Sequence, residues 1–104
     1  LDHVPVVKFF NPLGIGTWLA TELDEGGDTM FGLADLGCPE LGLFSLAEMQ
    51  SLELPLGMGI ERDILFEGEF PLSVYRHAAR TVGRIVIDER SLRAAAAALP
   101  REAR

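Results

Sequence analysis

Short apolar blocks bounded by glycine and proline fill the first two thirds of the chain, and helical patterns follow them. Residues 4–10 (V-P-V-V-K-F-F) are rich in β-branched and aromatic side chains and predict a strand. Pro5 has no N–H to give a ladder, so it belongs at that strand's start or on an edge. Asn11-Pro12-Leu13-Gly14-Ile15-Gly16 is turn chemistry, with two glycines available for positive φ. Residues 17–23 (T-W-L-A-T-E-L) predict a second strand. Strict alternation there sets Trp18, Ala20 and Glu22 on one face and Leu19, Thr21 and Leu23 on the other. A polar, glycine-bearing turn at 24–28 leads into a third strand over 29–36, with a bulge or close backbone approach expected at Gly32. Three strands joined by short turns make an antiparallel meander.

Residues 37–42 read as a loop. Ser45-Leu46-Ala47-Glu48 then fits the capping box, in which the serine hydroxyl and the glutamate side chain satisfy helix N-terminal amides reciprocally, and predicts a short helix over 46–51. Pro55-Leu56-Gly57-Met58-Gly59 interrupts the chain before a fourth strand over 60–67. It also echoes Pro12-Leu13-Gly14-Ile15-Gly16; the flanks do not align, and the echo is read as one turn chemistry used twice. Pro71 and Ser73 open a helix that runs to 81 or 82, with Gly83 as its stop. Residues 85–87 form a short last strand or a buried connector. Asp88 caps a helix over 89–99, where five consecutive alanines favour helix intrinsically. That helix is too short to be firm alone, and Pro100 onward is expected to fray. The fold class is α+β: a small antiparallel sheet, a short helix and one or two C-terminal helices. The expected organisation is one domain over residues 1–87 and an alanine-rich helical extension with its tail over 88–104.

Composition narrows the function more than the fold. At 104 residues and 48% hydrophobic, the chain suits one modest core and excludes wholesale disorder. The formal charge of −7 is unevenly divided. Residues 1–70 carry 13 acids against Lys8 and Arg62, a net of −11, whereas residues 71–104 carry 3 acids against 7 arginines, a net of +4. An all-over basic nucleic-acid binder is excluded. A single cysteine, Cys38, forbids an intramolecular disulfide and favours a reducing, cytoplasmic setting. No apolar run is long enough for a membrane span, and Leu1-Asp2-His3 does not open like a signal peptide. The missing initiator methionine marks a trimmed chain or a fragment. His3, Cys38 and His77 lack metal-ligand spacing, so no metal and no cofactor is expected.

Candidate chemistry is sparse. The glycine pairs at 14/16 and 57/59 lack the third glycine or the Gly-Lys-Ser/Thr ending of a phosphate loop, and each precedes a strand instead of opening a helix. Glu22, Asp35, Glu61 and Asp63 are the catalytic candidates. If their strands are neighbours, the carboxylates could converge on one rim and serve acid/base or divalent-cation chemistry; the plainer reading is a solvated acidic face. Trp18 is a binding candidate whose plainer reading is core. Cys38 has no basic neighbour to activate its thiol. Arg76, Arg80 and Arg84, spaced i, i+4, i+8, form a stripe on one helical face if the helix survives Gly83. Such a stripe can track nucleic-acid phosphates, dock on an acidic partner or on its own acidic body, or face water. Glu40 and Arg62 complete the binding candidates.

V-V-K-F-F-N-P at 6–12, G-T-W-L-A-T-E at 16–22, F-G-L-A-D-L-G at 31–37, S-L-A-E at 45–48 and G-I-E-R-D-I-L-F at 59–66 occur in that order in one chain. Taken together, they resemble the bacterial domain-of-unknown-function family 2958 over about residues 4–80. The resemblance implies a small cytoplasmic α+β protein of plasmids and integrated mobile elements, and it brings no catalytic role for Trp18, Glu22, Asp35, Glu40, Glu61, Arg62 or Asp63. The resulting expectation is a non-enzymatic accessory protein whose acidic face engages a basic protein partner, since a strongly acidic surface steers basic partners and repels nucleic acid. A carboxylate-based enzyme or cation site, and nucleic-acid contact through Arg76, Arg80 and Arg84, are the alternatives.

Overall fold

The computed structural model describes residues 2–99, in which the β-branched and aromatic blocks pair side by side. Strands β1 (Val7–Phe10), β2 (Thr17–Leu23), β3 (Thr29–Asp35), β4 (Pro39–Ser45) and β5 (Glu61–Arg62) form one antiparallel sheet in the order β4-β3-β2-β1-β5. Helix α1 (Leu46–Ser51) follows β4 directly, a single 3₁₀ turn spans Pro55–Gly57, and α2 (Leu72–Val82) and α3 (Glu89–Ala98) close the described chain. The α+β class is as the sequence predicts. Pro100 and the tail beyond it lie outside the described residues.

Two expectations about the sheet need correction. Residues 37–42 are largely strand, because all seven residues of β4 pair with β3, from Thr29↔Ser45 to Asp35↔Pro39. Conversely, the strand expected over 60–67 shrinks to Glu61–Arg62. Asp63 turns the chain there: its Oδ1 accepts from the Leu65 N–H at 3.0 Å and its carbonyl from the Phe66 N–H at 3.2 Å. The anticipated close approach at Gly32 is present, and a Cβ there would lie 1.8 Å from the Leu19 carbonyl oxygen. The accompanying bulge is in the opposite strand, between Ala20 and Glu22, where the Thr21 hydroxyl donates to the Phe31 carbonyl at 3.1 Å.

The sheet is covered on both faces. On one, Leu19 and Leu33 lie without exposure beneath Val74, Tyr75, Ala78 and Ala79 of α2, Ile85 and Val86 of the connector, and Leu92 and Ala95 of α3. Each fully buried aliphatic side chain of this kind contributes about 1.5–3 kcal/mol. The alanine-rich helix is thus packed into the same core as the domain it was expected to extend. Its N-cap is Asp88, which accepts from the Ser91 N–H at 2.8 Å. On the opposite face Trp18, Ala20 and Met30 pack with Met49 of α1, edged by Phe9, Phe44, Leu46 and Ile60. Tyr75 ties the 63–70 loop down: its ring meets Phe66 and Phe70, and its hydroxyl accepts from the Glu69 N–H at 3.2 Å.

Helix ends are completed from a distance. The Ser45 hydroxyl accepts from the Glu48 N–H at 3.1 Å, which is the serine half of the expected capping box. The second partner of α1 is Asp28, whose carbonyl accepts from the Leu46 N–H and whose carboxylate accepts from the Ala47 N–H (2.7 Å) and the Ser45 hydroxyl (2.7 Å). Helix α2 starts at Pro71 without a side-chain cap of its own. The N-terminal segment supplies it: the His3 carbonyl accepts from the Leu72 N–H at 2.8 Å, and the Asp2 carboxylate from the Ser73 N–H at 2.9 Å and from the Ser73 hydroxyl. Gly83, at φ 98°, ends α2 in the left-handed conformation that glycine adopts without penalty.

Candidate functional site

The four candidate carboxylates occupy separate places. Asp35 ends β3 and Thr17 stands opposite it; Phe10 stands opposite Thr17, and Glu61 opposite Phe10. Asp35 and Glu61 are therefore three strand spacings apart, roughly 14 Å. Asp35 is also enclosed, at 7% exposure, with its two oxygens accepting from the Gly37 N–H (2.9 Å) and the Ile85 N–H (3.0 Å). It is thereby a bracket between the sheet and the α2–α3 connector. Asp63 pairs with Lys8 at 3.3 Å and shapes its own turn. Glu22 lies at the other end of β2. The bulge breaks the strict alternation there, so Leu23 pairs with Met30 and Glu22 with Phe31, and Glu22 still borders the hollow beside Ala20. No group of three or more His, Cys, Asp and Glu side chains among the described residues could hold a metal ion.

The binding candidates also separate. Trp18 is buried, 6% exposed, under α1. Glu40 is exposed on the edge strand β4. The arginine stripe is cut at Gly83: Arg76 and Arg80 lie on α2, while Arg84 has left the helix. None of the three forms an ion pair among the described residues, so the stripe does not neutralise its own acidic body through direct pairing. Arg76 is half-buried with its Nε enclosed and without a hydrogen-bond partner. Arg84 borders two polar hollows, one against Lys8, Asn11 and Thr17 and the other against the 14–16 turn and Asp35. Its charge also helps hold the Asp88 carboxyl below its ordinary range, after the larger effects of the Ser91 N–H and hydroxyl.

One candidate that no sequence motif marks is a groove on the Trp18 face. A cavity of about 300 Å³ opens between β1, β2 and α1, floored by Val7, Phe9, Ala20 and Met30 and edged by Leu23 and Leu46. A second, of about 350 Å³, shares Phe9, Leu46 and Arg62 with it and adds Met49, Gln50 and Ile60. Glu22 and Arg62 stand at the rim. The β2–β3 turn leaves the groove at Leu23 and carries Asp24, Glu25 and Asp28; α1, bound to Asp28, presents Glu48 in its first turn. No lysine or arginine lies between Lys8 and Arg62 in the sequence, so the segments that carry these acids supply no base of their own, and Arg62 is the base that lines the groove. The Ala47 N–H, and next the Ser45 hydroxyl, hold the Asp28 carboxyl below its usual range, which keeps it charged against mild acid. A cleft of about 250 Å³ between α2 and α3 is lined by His77, Thr81, Val82, Ser91 and alanines, with no carboxylate, lysine or arginine in its lining.

A model of the family described as protein of unknown function, DUF2958, matches residues 1–86. The chain belongs to DUF2958. The match takes in the sheet, α1, α2 and the Ile85–Val86 connector, and it ends before α3. Both walls of the groove lie within the DUF2958 segment, whereas Leu92 and Ala95, which help bury the other face, lie beyond it. No curated protein and no solved structure matches the chain. No helix among the described residues is long and apolar enough to cross a membrane.

Proposed function

We propose that the protein is a binding module that takes an amphipathic, basic segment of a partner protein into the groove beside α1. The observation that carries this reading is the juxtaposition of an apolar trough, floored by Val7, Phe9 and Met30, with Glu22, Asp24, Glu25, Asp28 and Glu48, all on a stretch of chain without lysine or arginine. Apolar anchors supply most of the affinity in such a groove, and the acidic rim sets the sign of the partner and its rate of approach. Arg62, on the β5 side, is placed to meet an acidic group of the same segment. The family resemblance supports an accessory role in the cytoplasm of bacteria carrying plasmids or integrated mobile elements, with a basic protein as the partner.

The test is a pair of amphipathic peptides, Leu/Lys and Leu/Glu, titrated into ¹⁵N-labelled protein. The Leu/Lys peptide is expected to shift the amides of Val7, Phe9, Leu46, Met49 and Ile60, with affinity falling as salt rises. Charge reversal at Glu22 and Glu25 together is expected to weaken it about tenfold, since each partly exposed charge pair is worth up to about 1 kcal/mol. Equal binding of the Leu/Glu peptide, or shifts scattered away from the groove, would overturn the reading.

A further inference from the structure

Strand β4 is the outer strand of the sheet, and its free side has a definite hydrogen-bonding phase. The Leu46 N–H bonds to the Asp28 carbonyl at 2.9 Å, immediately beside the Thr29↔Ser45 pair. In an antiparallel ladder that bond makes Thr29↔Ser45 a non-hydrogen-bonded pair, and alternation then gives the same status to Phe31↔Leu43, Leu33↔Leu41 and Asp35↔Pro39. The backbone groups of Glu40, Gly42 and Phe44 are consequently spent on β3, while the N–H and C=O of Leu41 and Leu43 point outward. Nothing among the described residues pairs with them. Their side chains are exposed as well, 40% for Leu41 and 72% for Leu43. The edge carries no lysine and no bulge, and its one proline, Pro39, stands at the end; these are the devices that normally keep an edge strand from pairing.

We infer that β4 pairs antiparallel with β4 of a second copy of this chain about a two-fold axis at Gly42, joining the two sheets into one. The register is self-complementary in three respects. Outward-facing Leu41 falls opposite outward-facing Leu43 of the partner subunit, and the reverse, so each pair exchanges both N–H···O=C bonds. The leucines of both copies lie on the same face of the continued sheet and cover one another. Glu40 falls opposite Phe44 of the partner subunit, and the two Glu40 positions are four residues apart along the strands, roughly 14 Å, which exceeds the screening length at physiological salt. A shift of the register by one residue sets outward groups against inward ones and is forbidden; a shift by two shortens the overlap. Two-fold symmetric pairing of this kind closes on itself and generates no filament.

Because each copy carries a formal −7, self-association is opposed by net charge and strengthens with added salt, whereas capture of a basic segment in the groove weakens with it. The two readings therefore fail separately. Sedimentation equilibrium from low to high micromolar concentration is expected to move the mass from 11.3 kDa toward twice that value, more completely at high salt. Hydrogen exchange at the Leu41 and Leu43 amides is expected to slow as concentration rises. Leu43→Lys lowers the net repulsion yet places a charge where leucine should pack, and it is expected to weaken the dimer at least about tenfold. Leu43→Pro removes one outward N–H and is expected to do the same, with far-ultraviolet circular dichroism confirming that each variant is folded. A mass that stays monomeric at every concentration and salt overturns the inference. So does a dimer whose Leu41 and Leu43 amides exchange at the monomer's rate, a readout that needs no variant.

Discussion

Replacing Asp35 tests whether its place in the fold, and not chemistry, explains a buried carboxylate. Its side chain accepts from the Ile85 N–H at 3.0 Å and from the Gly37 N–H at 2.9 Å. Ile85 is itself 8% exposed, so in Asp35→Ala its amide loses its only acceptor among the described residues and has little water to replace it. An unsatisfied buried donor costs about 1–3 kcal/mol, and Gly37, which is exposed, adds less than about 1 kcal/mol. The expected loss is about 2–3 kcal/mol, a large share of the roughly 5–10 kcal/mol that holds a domain of this size. At about 5 °C per kcal/mol, thermal unfolding should fall by roughly 10–15 °C, and the urea midpoint should fall by roughly 1.5–2 M. Asp35→Asn keeps one acceptor oxygen for Ile85 and should lose only about half as much. Hydrogen exchange at the Ile85 amide should quicken most among the connector residues. A stability loss below about 1 kcal/mol in Asp35→Ala, or an unchanged rate at Ile85, would refute the bracket.

Gly32→Ala should be among the most damaging substitutions. Its Cβ would meet the Leu19 carbonyl oxygen at 1.8 Å, so backbone must move; a variant with wild-type urea midpoint would contradict the packing described. Leu56→Gly should raise stability by about 0.5–1 kcal/mol: at φ 63° and 90% exposure the leucine carries left-handed strain of about 1–2 kcal/mol, partly offset by glycine's greater freedom when unfolded. Leu92→Ala, at a position 2% exposed, should lower stability by about 2–4 kcal/mol in chemical denaturation; a loss under about 1 kcal/mol would show that α3 is not part of the core. The folded-state pKa values of Asp28 and Asp88 are depressed, so the unfolded chain binds more protons as pH falls. The stability they supply is present above their ordinary value near 3.8 and is lost as pH drops through the folded values. Asp28→Asn and Asp88→Asn should each flatten the stability profile between pH 5 and pH 2 measured by urea denaturation, and a profile as steep as wild type would count against the caps.

Local signals carried the parts of this fold that rest on local chemistry. Ser45 and Asp88 announce helix starts because an N-cap needs only a few residues, and Gly83 announces a stop because its left-handed φ is a property of one residue. The misreadings come from partners remote in sequence. Pro-Glu-Leu-Gly-Leu-Phe-Ser is poor strand material by propensity, and β3 makes it a strand through seven cross-strand pairs. Ile60 through Glu67 looks like a strand by composition, but the Asp63 turn and the docking of Phe66 on Tyr75 take it off the sheet. The strict alternation expected along β2 breaks at the bulge between Ala20 and Glu22, opposite the close approach of Gly32 to Leu19 in another strand, so Leu23 pairs with Met30 while Glu22 still borders the groove. The groove follows the same logic. Its floor comes from β1, β2 and β3 and its wall from α1, so no single segment carries a motif for it.

The division of charge gains meaning from the two-sided covering of the sheet. The face over Leu19 and Leu33 is closed by α2 and α3, whose exposed surface bears Arg80, Arg90 and Arg93. The opposite face is only partly closed, since α1 is six residues long and cannot span the sheet. The apolar floor beside it stays open where the base-free stretch supplies Glu22, Asp24 and Glu25. An open apolar trough invites indiscriminate association, and an acidic end opposite the single Arg62 restricts what approaches it. The same acids should repel a second copy from the trough, because its own groove end is equally negative. The free edge of β4 follows a different rule: there the backbone supplies the bonds, leucine meets leucine, and Glu40 stands apart from its twin. A second copy and a basic partner are therefore directed to different surfaces, and raising the salt concentration should favour the first while releasing the second.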